Sequence, residues 1–226
     1  MRIFGWQIDI QIWARTLPFA LYMVFLVIEG LVADHLPGVD VRWLYPAKII
    51  AVIAALWYYR AIYTELTIRP NWYWAGLVAP VLGVVVFVLW INLDAGWMSL
   101  GGGDGYDPRD TAGNFDWPLV LTRLAGAALV VPLMEELFWR SFILRWIQEQ
   151  NFLQLAPLQI GLRAILISSL LFGLEHSLWL AGIVAGLAYA WIYRASGTLW
   201  APIIAHAVTN LVLGLWVLNT GQWQFW

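Results

Sequence analysis

The chain has no cysteine among its 226 residues, which removes disulfides, thiolate metal ligands and a cysteine nucleophile together. Charge is scarce as well. Asp, Glu, Lys and Arg make up 12% of the residues, roughly half the ~25% of an ordinary soluble domain. The formal net charge is -2 and no basic tract occurs, so nucleic acid, whose phosphates need clustered cations, is excluded as a partner. Met1 to Ile12 carry Gln7, Asp9 and Gln11 where a cleaved signal peptide would carry a basic stretch and then an apolar core. Their isoleucines and Trp6 read as a lead-in lying at a membrane interface.

Hydrophobic residues take the place of charge, at 62%. A helix needs ~17 to 25 largely apolar residues to cross a bilayer core. Apolar spans run from Pro18 to Val32, Trp43 to Tyr59, Ala75 to Ile91, Pro118 to Trp146, Leu162 to Leu174, Leu178 to Tyr193 and Leu199 to Leu218. They predict an all-α fold, a polytopic transmembrane helical bundle of seven to eight spans with the lipid bilayer as its solvent. Residues 1–117 would supply the N-terminal helices and one long loop, Leu93 to Asp116, with Gly101, Gly102, Gly103, Asp104, Asp107 and Asp110. Residues 118–226 would supply the helices that carry chemistry, the two parts forming one integrated membrane domain. Arg2, Arg15, Arg60, Arg69, Arg145, Arg163 and Arg194 fall on alternate connections, which places these connections and the N-terminus in the cytoplasm and the protein in the cell (inner) membrane. Arg42 and Arg109 run against the bias. Trp43, Trp57, Tyr58, Tyr59, Trp72, Trp74, Trp117 and Trp200 stand at span ends, as interfacial anchors do.

An ionisable group at membrane depth costs about 2.5 kcal/mol or more, so each calls for a partner or a function. The second half concentrates them: Glu135, Glu136 and Arg140 in the fourth span, Glu175 and His176 ending the fifth, His206 and Asn210 in the seventh. Glu136 with Arg140, Phe172 with His176, and His206 with Asn210 are each four apart and share a helix face. Counting 1.5 Å per residue from the cytoplasmic ends puts Glu135, His176, His206 and Asn210 roughly 13 to 20 Å inside, at one level. Glu136 and Arg140 suit an intrahelical ion pair that supports such a site. Phe172 suits a cavity wall, Gly182 and Gly186 suit close helix packing, and Glu29 suits a side chain reaching the interface.

Three motifs carry a resemblance. They are Glu135-Glu136-Leu137-Phe138-Trp139-Arg140, Phe172-Gly173-Leu174-Glu175-His176, and His206-Ala207-Val208-Thr209-Asn210, the last preceded by Leu199-Trp200-Ala201-Pro202. In this order on apolar spans they resemble the CPBP group of CAAX prenyl endopeptidases and their bacterial relatives. The compact N-terminal half also resembles the branch found beside exosortase systems. The resemblance implies a membrane-embedded endopeptidase acting on a membrane-associated or lipid-modified peptide near its C-terminus. Glu135 would activate water, His176 would position it, and His206 and Asn210 would donate hydrogen bonds to the oxyanion. It implies no cofactor.

Two other readings use the same residues. Zinc could be held by Glu135, His176 and His206 around a bound water, although the chain has no His-Glu-x-x-His signature. A non-catalytic scaffold or immunity-type protein could use the cluster to bind a partner. A serine nucleophile would have to come from Ser141, Ser168, Ser169 or Ser177, none of them in a Gly-x-Ser-x-Gly elbow.

Overall fold

The computed structural model describes residues 2, 3, 6, 7, 9–36, 38–101 and 105–226, with side chains from residue 9 onward. The expected interfacial role of Trp6, the side chain of Arg2, and Gly102, Gly103 and Asp104 of the long loop lie outside the described residues. A two-residue hairpin pairs β1 (Arg2–Ile3) with β2 (Trp6–Gln7). Everything larger is helical.

Seven helices form where the seven apolar runs were read: α1 Ile10–His35, α2 Leu44–Tyr58, α3 Tyr73–Trp90, α4 Trp117–Trp146, α5 Leu162–Leu174, α6 Trp179–Ser196 and α7 Trp200–Thr220. Among the described residues, five are long and apolar enough to span a membrane: α1, α2 with its preceding turn, α3, α4 and α7. Their outward faces are apolar, with Val27 62%, Ile50 68% and Leu129 69% exposed. Water would not tolerate so continuous a surface, whereas lipid is its natural solvent.

Helix α1 begins eight residues before the expected Pro18. Asp9 caps it, its carboxylate accepting from the Gln11 N–H at 2.9 Å. Gln11 and Arg15 made this stretch read as a connection, yet Arg15 is fully buried. Its Nη2 lies 2.6 Å from Glu65 Oε2 and its Nε 3.1 Å from Ser141 Oγ, and Ser141 also bonds Glu65. One ion pair thus joins α1, the α2–α3 connection and the end of α4, and it removes Ser141 from candidate chemistry. Glu29, expected to reach the interface, is likewise paired within the bundle. It pairs at 3.0 Å with Lys48, a fully buried lysine of α2, since a neighbouring cation stabilises it better than a stretch toward headgroups.

The span-end aromatics divide. Trp43, Trp57, Tyr58, Trp72 and Trp117 are exposed, but Tyr59 is buried, and Trp200 turns its indole N–H onto the Leu66 carbonyl at 3.0 Å. At the opposite end Arg42 and Arg109, the two exceptions to the charge bias, are each paired locally, with Asp40 at 2.6 Å and Asp107 at 2.5 Å. Hydrogen bonds from these guanidinium groups hold both carboxyls below the usual carboxylate range. Neither arginine therefore contributes a free positive charge to that end.

Glycine sets the approach of α5 and α6. A Cβ at Gly182 would stand 2.9 Å from the Gly173 Cα, and one at Gly186 3.0 Å from the Ser169 Cα, as expected for small residues at a helix crossing.

Candidate active site

Helix α4 is not regular. Its α-helical register is interrupted by π turns at Gly126–Val130 and Leu137–Ile143, and Glu135 and Glu136 lie between them. The first interruption has a cause in the sequence. Pro132 has no N–H, so it can donate neither to the Ala128 carbonyl in α register nor to the Ala127 carbonyl in π register. The Val131 N–H donates to Gly126, which leaves Ala127 without a partner on its own helix. Asn210 of α7 supplies one, its Nδ2 donating to the Ala127 carbonyl at 2.9 Å. A proline thereby fixes an amide on a neighbouring helix. The second π turn contains no proline, and its sequence gives no comparable cause.

Glu135 on α4, His206 and Asn210 on α7, and His176 in the turn just past the end of α5 all line one cavity of about 190 Å³, so the four expected site residues come together. Glu135 is 5% exposed and its Oε2 has no hydrogen-bond partner. His176 sits on the Phe172 carbonyl through Nδ1 at 2.7 Å. This bond leaves Nε2 as its free nitrogen. The ring is clamped by Phe172, 4.7 Å away, and Trp90, 5.3 Å away. Phe172 is a wall of the cavity, as read.

Glu136, unlike Glu135, is paired. It receives Arg140 Nε at 3.2 Å and meets His206 Nδ1 at 3.0 Å. The expected ion pair is present, and it extends to a third helix through the imidazole. His206 is further stacked on Tyr189 at 4.9 Å, and the Tyr189 hydroxyl is bonded to Thr209 at 2.8 Å. Arg140 lies over the Phe172 ring at 4.4 Å. A buried row of Arg140, Glu136 and His206 therefore holds the imidazole at one edge of the cavity.

Glu175, which adjoins His176, takes the Trp139 indole N–H at 3.0 Å and lines an adjoining cavity of about 330 Å³ that Glu135 and His176 also reach. The sequence reading passed over Arg123, Tyr22 and Trp90, which line both cavities. Arg123 is an ionisable residue within an apolar run, and that signal was available. Among the described residues no three His, Asp or Glu side chains are arranged to hold a metal ion. His206 Nδ1 is committed to Glu136 and His176 Nδ1 to a carbonyl.

A polytopic helical membrane protein with a carboxylate, two imidazoles and an amide around a buried cavity has the parts of an intramembrane hydrolase. Residues 117–212 match the family described as Type II CAAX prenyl endopeptidase Rce1-like, a match that contains every one of those residues. Over that stretch, a little under half of its length, the chain is similar to this family of membrane proteases. No curated protein and no solved structure matches the chain.

Proposed function

We propose that this chain is an intramembrane endopeptidase that cleaves a membrane-associated or lipid-modified peptide near its C-terminus with a water activated by Glu135, without a metal or other cofactor. The observation that carries this reading is the unpartnered Glu135 oxygen in a cavity shared with His176. A carboxylate without partners can accept a proton, and the free His176 nitrogen can orient the same water. The water oxygen bonds to the scissile carbonyl carbon while its proton passes to Glu135. The second N–H of the Asn210 amide, beyond the one given to Ala127, is free to meet the developing oxyanion. A neutral His206 donating Nδ1–H to Glu136 presents a lone pair at Nε2, so it would donate to the oxyanion only as the imidazolium. Collapse of the tetrahedral intermediate breaks the C–N bond, and the proton on Glu135 leaves with the amine.

The test is comparative proteomics of membranes that contain the chain, lack it, or contain Glu135→Gln. Peptides with new C-termini should appear only with the unaltered chain. Equal products from Glu135→Gln would overturn the proposal, because a scaffold tolerates that near-isosteric change and a general base does not.

A further inference from the structure

Beside the site, both cavities reach a cation that no carboxylate among the described residues neutralises. Arg15, Arg42, Lys48, Arg109 and Arg140 each have a carboxylate partner. Arg123 has none among the described residues. Its guanidinium is caged by rings, 4.5 Å from Tyr45, 4.9 Å from Tyr106 and 6.0 Å from Trp226. The Tyr45 hydroxyl donates to the Arg123 backbone carbonyl at 3.3 Å, which fixes the residue while leaving the guanidinium unbonded.

Three buried donors around this cation have no partner: Arg123 Nε, the Tyr106 hydroxyl and Trp226 Nε1. The Tyr106 and Trp226 rings are 6.0 Å apart. Burial pushes the Tyr106 phenol, in the loop outside the spans, up to about 12, so it remains a donor. Buried donors without acceptors are costly, and aromatic faces hold a cation without using its N–H groups. One positive charge with three idle donors at the wall of a hydrolytic cavity matches a carboxylate, which accepts charge-assisted hydrogen bonds from an arginine fork.

We infer that Arg123, with Tyr106 and Trp226, receives the free α-carboxylate at the C-terminus of an apolar peptide substrate. The inference rests on the peptidase reading and supplies what that reading lacks, a reason for cleavage near a chain end. Arg123 and Glu135 are twelve residues apart on α4, about 18 Å along a helix, which is the length of about five extended residues. A carboxylate held at Arg123 sets the scissile bond at a fixed distance from the peptide's end.

The experiment uses one apolar octapeptide with a fluorophore and quencher, made as the free acid and as the C-terminal amide. Binding is measured first to folded, full-length Glu135→Gln in detergent, so that hydrolysis does not intrude. The acid should bind about 10-fold or more tightly than the amide. Adding Arg123→Gln should abolish the preference, and Arg123→Lys should restore part of it. In the active protein kcat/KM should show the same acid-over-amide ratio and the same loss of it. Equal binding of acid and amide would overturn the inference, and so would an Arg123→Gln effect that weakens both alike. Displacement of the acid peptide by phosphatidylglycerol but not by an unrelated free-acid peptide would assign the site to a lipid headgroup and also overturn it. Acid-selective binding that depends on Arg123, without any hydrolysis, would retain the carboxylate site and sink the peptidase reading alone.

Discussion

Glu136 is held from two helices, by Arg140 at 3.2 Å and His206 at 3.0 Å, with all three side chains buried. Removing one partner of a buried ion pair leaves a charge uncompensated and costs about 3 kcal/mol or more. Arg140→Ala should therefore lower the thermal midpoint in detergent as well as activity. The double variant Glu136→Gln/Arg140→Ala should regain part of the stability, since no carboxylate is stranded, yet not the activity, since His206 has lost its anchor. Recovery of both would mean that the row is structural only. Asn210→Ala should cut turnover by ~10²- to 10³-fold, with KM little changed, because an oxyanion donor acts in the transition state. A rise in KM at constant kcat would place Asn210 in ground-state binding instead. At this scale the sequence was most informative about the site. Spacings of four residues pointed to Glu136 with Arg140 and Phe172 with His176 as neighbours, and both pairs meet although Arg140 lies in a π turn and His176 lies past the end of α5. The pairs Glu29–Lys48 and Arg15–Glu65 were not legible, being 19 and 50 residues apart and brought together only by packing.

The helices α4 and α7 show why position along an element matters as much as identity. The π turn at Gly126–Val130 and Pro132 free one carbonyl, and Asn210 takes it. Pro132→Ala returns an N–H that can close onto Ala128 or Ala127. It should lower peptidase turnover by about 10-fold while helicity and thermal stability hold or rise, because Asn210 loses the contact that aims it. Unchanged turnover in a folded Pro132→Ala would separate the π turn from catalysis. Apolar runs indicated that α4 exists and where it ends, but hydropathy does not register a change from four- to five-residue hydrogen bonding. For the same reason α1 read two turns too short: Arg15 looks like a loop residue until Glu65 is placed beside it.

For the whole molecule, antiparallel packing gathers Arg60, Arg69, Arg163 and Arg194 at one end of the bundle. It carries residues 91–101 and 105–116 to the other. Trp90, Arg123 and Trp226, which line the cavities, mark that second end. The arginine distribution predicts that the first end is cytoplasmic. The absence of native cysteine makes this directly measurable. Single cysteines at exposed Thr67 and Arg69 should react with a membrane-impermeant maleimide only from the cytoplasmic side, and those at Ala112 and Asn114 only from the other. Exchanged labelling would invert the bundle and place Arg123 and Trp226 at its cytoplasmic end.

The central claim is that Glu135 activates the attacking water, and purified Glu135→Gln tests it most directly. Glutamine keeps the size of the side chain and removes the base. The account predicts a folded protein of nearly unaltered stability whose hydrolysis of a fluorogenic apolar peptide falls by at least about 100-fold, while the peptide still binds. Full activity in folded Glu135→Gln would contradict it.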